Sequence, residues 1–545
     1  MSASSKKKLR NEQEAAKLTE RQLAEQKEAK KVKAYTVAFV VVMVILVAVF
    51  AVSAVTNFIN GSGIREKNTV AMTVGDTQLS NADLNYFFID SVNHFYSENG
   101  GYASIFGLDV TKPLDEQVFD TTTGDTWADY FLDSAMDSAH AVYTMADIAA
   151  EAGHTLTEDE QADLEAAVGY LSAYAGLYGY SNTERYLKAM YGNGATEEGY
   201  RNYVEKSLMA DSYYNAHKAT LSYDDAALRE AEAENYSAYS SFTYNYYYLT
   251  ASRFLEGGTT SEDGTTVTYS DEEKAASIEA AEEAAKALVG ENVISPETFD
   301  LAISALEVNK DTEAASTACK DTLYNAVGST IVDWVSDDAR VEGDKTYIPS
   351  TTTTTDDEGV ETTTVTGYYV VYFIGRNDNN FAMKNVRHIL AEFEGGTTEN
   401  GVTTYTDEEK KAALTEAEAL LEEWKSGDAT EDSFAALANE KSDDGDGSNG
   451  GLYENILPSS NYVENFLNWA LEATEPGQTG IVETEYGYHV MYFVGDSELS
   501  YRDYMIESQL LAADMNTWYA DMLATTTMTE ADTSYITTGL ILSNG

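Results

Sequence analysis

The chain has 545 residues and is strongly acidic, with 34 Lys and Arg residues against 92 Asp and Glu residues and a formal net charge of −58. This charge argues against nucleic-acid binding, because phosphate groups would be repelled. The single cysteine, Cys319, excludes an internal disulfide, and with only six histidines in the chain we expect no zinc site. The length predicts several domains.

The first 59 residues predict a membrane anchor. Residues 1–33 form a charged tail with ten Lys/Arg and five Asp/Glu, and residues 34–59 contain no charged side chain. Such a segment can cross a hydrocarbon core of about 30 Å, and the basic tail places the N-terminus in the cytoplasm. The alternative is a secretory signal peptide cleaved near Ala54, although this apolar stretch is longer than usual. The tail itself is either solvated or a docking helix for a cytoplasmic partner.

Residues 60–240 read as a mainly helical domain. Alternating apolar residues from Val70 to Val74 predict a short hairpin, and Ser80 followed by Asp83 predicts a helix cap. From Trp127 onwards apolar residues recur at spacings of three and four, which is the helical period.

Two later segments repeat one another. Both contain EGGTT followed by Asp-Glu-Glu-Lys, and IVDWVSDDARVEGDKT aligns with FLNWALEATEPGQT. The segment GYYVVYFIG, which starts at Gly367, aligns with GYHVMYFVG, which starts at Gly487. The repetition predicts two tandem domains of one fold, residues 241–378 and 379–497, followed by a helix and tail over residues 498–545.

The second copy has a histidine at each end and a glycine-rich loop between. It reads NVRHILAEFEGG, then SDDGDGSNGGLYENI and YVENFLNWALE, and ends GIVETEYGYHVMYFVG. In this order the motifs resemble the parvulin-type (rotamase) peptidyl-prolyl isomerase domain, and residues 60–240 are similar to the helical region of PrsA-like and SurA-like foldases. The resemblance implies an α+β protein with a single N-terminal transmembrane helix, a helical chaperone-like region, two tandem parvulin-like domains and a C-terminal helix that returns to the helical region.

The resemblance also implies four residues at the reaction centre. His388 and His489 match the paired histidines, which shape the site rather than shuttle protons. Asp444 matches the acidic position beside the isomerising bond, and Thr484 matches a hydroxyl-bearing position near the histidines. The alternatives are a buried core position for each histidine, a solvated turn for Asp444 and ordinary core packing for Thr484.

Four further residues match the substrate-binding positions of the family. Tyr462 and Phe466 lie four apart on one helix and match the apolar residues that hold the proline ring. Leu452 lies in Gly-Gly-Leu-Tyr, where many members have Gly-Gly-Asp-Leu-Gly, and Tyr486 matches an often aromatic position. Core packing is the alternative for all four.

The first copy differs where the chemistry is expected. The alignment places Tyr248 at the position of His388 and Tyr369 at that of His489, and a threonine run, Thr351–Thr355, stands in place of the glycine-rich loop. We therefore expect a degenerate, non-catalytic domain that binds, spaces or only packs.

Isomerisation needs no cofactor and no metal. The X–Pro amide has a rotation barrier of about 18–20 kcal/mol, and a site lowers it by gripping the proline and favouring the twisted amide. The loop SDDGDGSNGG fails the EF-hand pattern, because positions six and twelve from Asp444 are Asn449 and Asn455.

The sequence therefore predicts a single-pass, extracytoplasmic isomerase and foldase that acts on unfolded, newly exported polypeptides with X–Pro bonds. The alternatives are a holdase chaperone with two inactive parvulin-like domains, and a scaffold for a secretion complex. The oligomeric state is left open.

Overall fold

The computed structural model describes residues 63–261, 265–355, 359–399, 402–444, 449–540 and 542. The predicted tail (1–33) and the predicted transmembrane helix (34–59) lie outside these residues. Among the helices of the described part, none combines the length and the apolar composition that crossing a bilayer requires.

Helices dominate the described chain before residue 240, and helices and strands are interspersed after it. The helices are α1 (Ile64–Asn68), α2 (Asn81–Asn99), α3 (Trp127–Glu151), α4 (Glu158–Leu177), α5 (Thr183–Tyr191), α6 (Glu197–Lys218), α7 (Asp225–Glu234), α8 (Asp271–Leu288), α9 (Pro296–Ser304), α10 (Val332–Val335), α11 (Asp407–Ser426), α12 (Glu431–Lys441), α13 (Glu464–Glu472) and α14 (Tyr501–Leu523). The strands are β1 (Val70–Val74), β2 (Thr77–Ser80), β3 (Ser241–Thr250), β4 (Thr259–Thr260), β5 (Val267–Thr268), β6 (Thr317–Leu323), β7 (Lys345–Thr355), β8 (Glu361–Asn377), β9 (Ala382–Glu392), β10 (Thr397–Glu399), β11 (Val402–Thr404), β12 (Leu452–Ile456), β13 (Thr479–Glu483), β14 (Gly487–Ser500) and β15 (Met528–Glu530).

Side-chain caps determine where several of these helices begin. A capping box joins a Ser or Thr at the helix start to the acidic residue three positions on, so that two orphan backbone N–H groups are satisfied. The predicted box at Ser80 is confirmed, and four others share its pattern, at Thr126, Thr157, Ser270 and Thr406.

The chain divides into two compact units, and one of the two boundaries between them falls within α14. Among the described residues, one unit comprises residues 63–222, 510–540 and 542, and the other lies within residues 223–509. In the first unit, helices α2 to α6 enclose a core that includes Phe88, Trp127 and Tyr186. The end of the chain joins this core, because β15 pairs with β1 and the side chains of Ile536 and Leu540 are buried there.

The second unit contains two four-stranded antiparallel sheets of identical topology. The strand order is β6-β3-β8-β7 in the first sheet and β12-β9-β14-β13 in the second. Each central pair carries a register shift at the same place, between Thr243 and Tyr244 in the first sheet and between Phe493 and Gly495 in the second. The internal repeat of the sequence is thus a repeat of the sheet.

The shared EGGTT and DEEK segments have a structural explanation. Glu409 caps α11 and also accepts a hydrogen bond from the Gly396 N–H at 3.0 Å. Glu273 caps α8 and accepts from the Gly258 N–H at 2.8 Å. One carboxylate therefore ties the hairpin to the helix start in both copies.

The strand register corrects one alignment between the copies. Met491 pairs with His388 in the second sheet, and Val371, which holds the place of Met491, pairs with Tyr246 in the first. Tyr246, rather than Tyr248, therefore occupies the position of His388.

Tyr248 instead occupies the position of Leu390, because Tyr248 pairs with Tyr369 as Leu390 pairs with His489. The predicted place of Tyr248 was wrong by two residues. The physical reason is a four-residue 3-10 turn, Ala251–Phe254, which lengthens the first copy between β3 and its glycine pair.

The threonine run also lies elsewhere than expected. Thr351–Thr355 forms the outer half of β7 and pairs with the start of β8. Since β7 corresponds to β13, the run does not replace the glycine-rich loop, whose counterpart lies between α9 and β6.

Candidate active site

The two histidines lie on the same face of the second sheet. Because side chains alternate along a strand, residues 386 and 388 of β9 face one way, together with residues 489 and 491 of β14. Helix α13 covers this face through Phe466 and Ala470. Helices α11 and α12 cover the opposite face, where Ile389 and Val490 are buried. The site is therefore built on the layer between the sheet and α13.

Hydrogen bonds join the four predicted central residues in a row. The His388 Nδ1 and His489 Nδ1 atoms are 2.9 Å apart. The His388 Nε2 atom lies 2.9 Å from Asp444 Oδ2, and the His489 Nε2 atom lies 2.9 Å from Thr484 Oγ1. Both imidazoles have no exposed surface, and the Asp444 side chain is 12% exposed.

The Asp444 end of the row determines which atom donates in each hydrogen bond. A carboxylate only accepts, so His388 Nε2 carries a proton and donates to Asp444. With one proton on each ring, His388 Nδ1 accepts from His489 Nδ1–H, and His489 Nε2 accepts from the Thr484 hydroxyl. Thr484 Oγ1 accepts in turn from the Tyr486 backbone N–H at 3.2 Å. The row thus assigns one tautomer to each neutral histidine.

Burial keeps His489 neutral. Loss of solvent lowers the pKa of His489 well below its ordinary value, and the neighbouring His388 lowers it further. His489 is therefore suited to holding a fixed arrangement rather than to exchanging protons near neutral pH.

The segment after α12 positions Asp444. The Leu390 N–H donates to Ser442 Oγ at 3.0 Å, and the Asp443 N–H donates to the Leu390 carbonyl at 2.9 Å. The Asp444 N–H is 3.3 Å from Ser442 Oγ. These bonds fasten the chain along β9, so that the Asp444 carboxylate reaches His388.

The glycine pair of the loop is required by a close approach of two backbones. The Gly451 carbonyl accepts from the His388 N–H at 2.9 Å, and Gly451 has φ +65°. A Cβ atom at Gly451 would lie 2.1 Å from the His388 carbonyl oxygen. Only glycine combines this dihedral angle with this distance.

Three aromatic rings form a cluster that meets the histidines. Phe466 meets His388 and His489 edge-on, with ring centroids 5.4 and 5.5 Å away. Tyr462 and Tyr453 follow at 5.4 and 5.6 Å from the Phe466 ring. The rings form an apolar wall beside the polar row.

The structure brings together seven of the eight predicted site residues. Tyr486 is 7% exposed and packs against Leu390 and Val463, beside the His489 position. Leu452 is the exception: it pairs with Arg387, whose guanidinium binds Glu431 of α12, so Leu452 belongs to the opposite face of the sheet.

Sequence reasoning missed Tyr453. Tyr453 pairs with Val386 on the histidine face, is 5% exposed, and its hydroxyl donates to Asp444 Oδ2 at 3.1 Å. The available signal was the alternation of side chains in β12, which makes Tyr453 face the site if Leu452 does not.

Among the described residues, no group of three or more His, Cys, Asp or Glu side chains is arranged to hold a metal ion. The site offers hydrogen bonds, a carboxylate and aromatic surface.

Comparison with known proteins identifies the second copy. Residues 388–495 match the family model described as Rotamase, PPIC-type PPIASE domain. This match confirms that the segment is a PPIC-type PPIase domain, as its resemblance to the parvulin type implied. No curated protein matches the chain.

Solved structures of similar proteins include two PrsA peptidylprolyl isomerases. The one from Bacillus anthracis is 18% identical, with 27% of this chain and 59% of that chain covered and a TM-score of 0.16. The one from Bacillus cereus is 23% identical, with coverages of 30% and 58% and a TM-score of 0.17. A SurA-like chaperone of Campylobacter jejuni is 22% identical, with coverages of 28% and 57% and a TM-score of 0.15. The chain thus spans less than two thirds of each of these structures.

Proposed function

We propose that this chain is a peptidyl-prolyl cis-trans isomerase and foldase whose catalytic part is the PPIC-type domain of residues 388–495. The observation that carries the proposal is the row Thr484–His489–His388–Asp444 beside the Phe466 ring. A polar row next to an apolar wall matches the two demands of the reaction, which are a grip on proline and a field that favours the twisted amide.

The roles of the residues follow from their chemistry. The histidine pair is a rigid support whose outer nitrogen, His388 Nε2, binds Asp444. The Asp444 carboxylate acts on the amide: it disfavours negative charge on the carbonyl oxygen, which weakens the partial double bond. Tyr462 and Phe466 hold the proline ring, and Tyr486 forms the edge of this binding surface near Leu390.

The first copy, residues 241–378, is proposed as a degenerate parvulin-like domain without activity. Tyrosines at positions 246 and 369 replace the two histidines, and Ile331 stands where the second copy has Phe466. The two tyrosines keep an aromatic surface on this face of the sheet, but they replace the histidines of the hydrogen-bonded row.

The helical unit is proposed to bind unfolded clients. A cavity of about 550 Å³ is open to solvent there, and six aromatic side chains line it. Three of them stay well exposed in the folded chain: Phe106 at 54%, Phe119 at 45% and Tyr130 at 37%. An exposed aromatic groove of this kind attracts apolar stretches of unfolded polypeptide.

The membrane anchor and the extracytoplasmic location are also proposals. They are supported by the uncharged segment 34–59 behind a basic tail. The clients would then be newly exported polypeptides with X–Pro bonds.

The test is the isomerisation rate of a panel of X–Pro peptides with the purified full chain. We expect His388→Ala and Asp444→Asn each to lower kcat/KM by about 10- to 100-fold while circular dichroism shows a folded protein. Asp496→Asn is the matched control, because that carboxylate binds Lys384 away from the site. If folded wild-type protein does not accelerate isomerisation but still suppresses aggregation of a client, the holdase alternative replaces this proposal.

A further inference from the structure

We propose that Tyr453 is a positioning residue of the isomerase site, whose hydroxyl holds the Asp444 carboxylate in its working orientation. The inference rests on the proposed function of the second copy and adds a residue that its family resemblance did not point to.

The geometry places two donors on one carboxylate oxygen. The Tyr453 hydroxyl is 3.1 Å from Asp444 Oδ2, and His388 Nε2 is 2.9 Å from the same atom. The donors come from different strands, β12 and β9, and the Asp444 backbone is fastened separately through Ser442. Three attachments that differ in direction fix both the position and the rotation of the carboxylate.

The Tyr453 ring also belongs to the apolar wall. It lies edge-on to His388, with centroids 4.9 Å apart, and it is 5.9 Å from the Tyr462 ring. A phenylalanine in its place would keep this packing and would lose only the hydroxyl. The two contributions of Tyr453 can therefore be separated by one substitution.

The first copy supports the assignment, because Tyr453 is replaced there together with the histidines. Val386 pairs with Tyr453, and the corresponding Tyr244 pairs with Cys319. The first sheet forms the same four-stranded order with this smaller side chain. The tyrosine of this pair lies on the neighbouring strand in the first copy, where the Asp444 partner is also absent, so the tyrosine that faces the carboxylate occurs only together with the histidines.

The first experiment measures kcat and KM separately for Tyr453→Phe. We expect kcat to fall about tenfold with KM nearly unchanged, because a hydrogen bond to a charged group is lost while the apolar wall remains. Tyr488→Phe is the matched control, since its hydroxyl donates to Glu483 Oε2 at the same distance of 3.1 Å on the opposite face of the sheet. That variant should retain the wild-type rate.

A double variant tests whether Tyr453 acts through Asp444. If it does, Tyr453→Phe combined with Asp444→Asn should be no slower than Asp444→Asn alone. Multiplicative losses in the double variant, or an unchanged kcat in Tyr453→Phe, would overturn the proposal.

Nitrogen NMR of histidine-labelled full chain supplies a readout that does not require activity. We expect the His388 Nε2–H signal to shift in Tyr453→Phe and to stay in place in Tyr488→Phe. An unshifted signal overturns the positioning role. If wild-type protein proves inactive while the signal shifts, the proposed function fails and the role of Tyr453 in holding Asp444 stands.

Discussion

His489 couples the stability of the second copy to pH. Burial and the adjacent His388 lower its pKa well below the ordinary value of 6.5, so the folded chain keeps it neutral while the unfolded chain protonates it. The unfolded state therefore binds more protons below about pH 6.5, and the free energy of unfolding falls as pH decreases from there.

We expect His489 alone to lower the free energy of unfolding by about 1.4 kcal/mol for each pH unit below pH 6. The measurement is denaturant unfolding of the full chain and of His489→Asn between pH 7 and 5. Other groups titrate in both proteins, so the informative quantity is the difference between their slopes. Equal slopes would mean that His489 takes up its proton in the folded state.

Asp444 should also bias the choice of substrate. A peptide with Glu or phosphoserine before proline brings a negative charge towards this carboxylate and is repelled. A peptide with Lys before proline brings a positive charge and is attracted. We expect kcat/KM to be about fivefold higher for Lys-Pro than for Glu-Pro peptides at low salt, and the ratio to shrink at high salt because ions screen the charges.

Asp444→Asn serves as the control for this preference. The Lys-to-Glu ratio should approach one in that variant, whatever its absolute rate. A ratio that survives the substitution would assign the preference to other carboxylates of the acidic surface.

Among the elements, the β9–β12 pair depends on Gly451. Its φ of +65° and the 2.1 Å approach to the His388 carbonyl exclude a side chain. We expect Gly451→Ala to lower the free energy of unfolding by about 2–4 kcal/mol and to reduce activity, because β12 must move away from the histidine strand.

Gly169→Ala is the comparison for this change. Gly169 lies within α4, and an added Cβ would meet no atom within 4 Å. The alanine should be accepted there with little loss. Equal thermal unfolding of the two variants would refute the close-approach argument.

At the scale of the whole molecule, catalysis and client binding are assigned to different units. We therefore expect Phe106→Ser with Phe119→Ser to lower suppression of client aggregation severalfold and to leave the isomerisation of short peptides unchanged. Light scattering of an unfolded client and the peptide assay measure the two activities on the same preparation.

Tyr170→Ser provides the control for the groove. Tyr170 is 49% exposed on α4 and does not line the cavity. If it weakened aggregation suppression as much as the groove variant does, general surface hydrophobicity rather than the groove would bind the client.

The sequence alone determined the features that depend on local chemistry. Alternation and repeated motifs identified two similar domains, and the cap at Ser80 marked a helix start that the structure confirms. His388, His489, Asp444 and Thr484 were identified because a family pattern preserves their order along the chain. The fold class, α+β with a parvulin-type domain, followed from the same motifs, while the span at residues 34–59 stays a prediction.

Only the tertiary structure decided which neighbours these residues meet. Tyr246 rather than Tyr248 stands at the first-copy histidine position, and Tyr453 rather than Leu452 faces the site. Both differences come from strand pairing, since a shift of one residue sends a side chain to the other face of a sheet and a shift of two changes its partner. The length of a loop insertion sets that shift, and the pairing itself is formed between residues far apart in sequence.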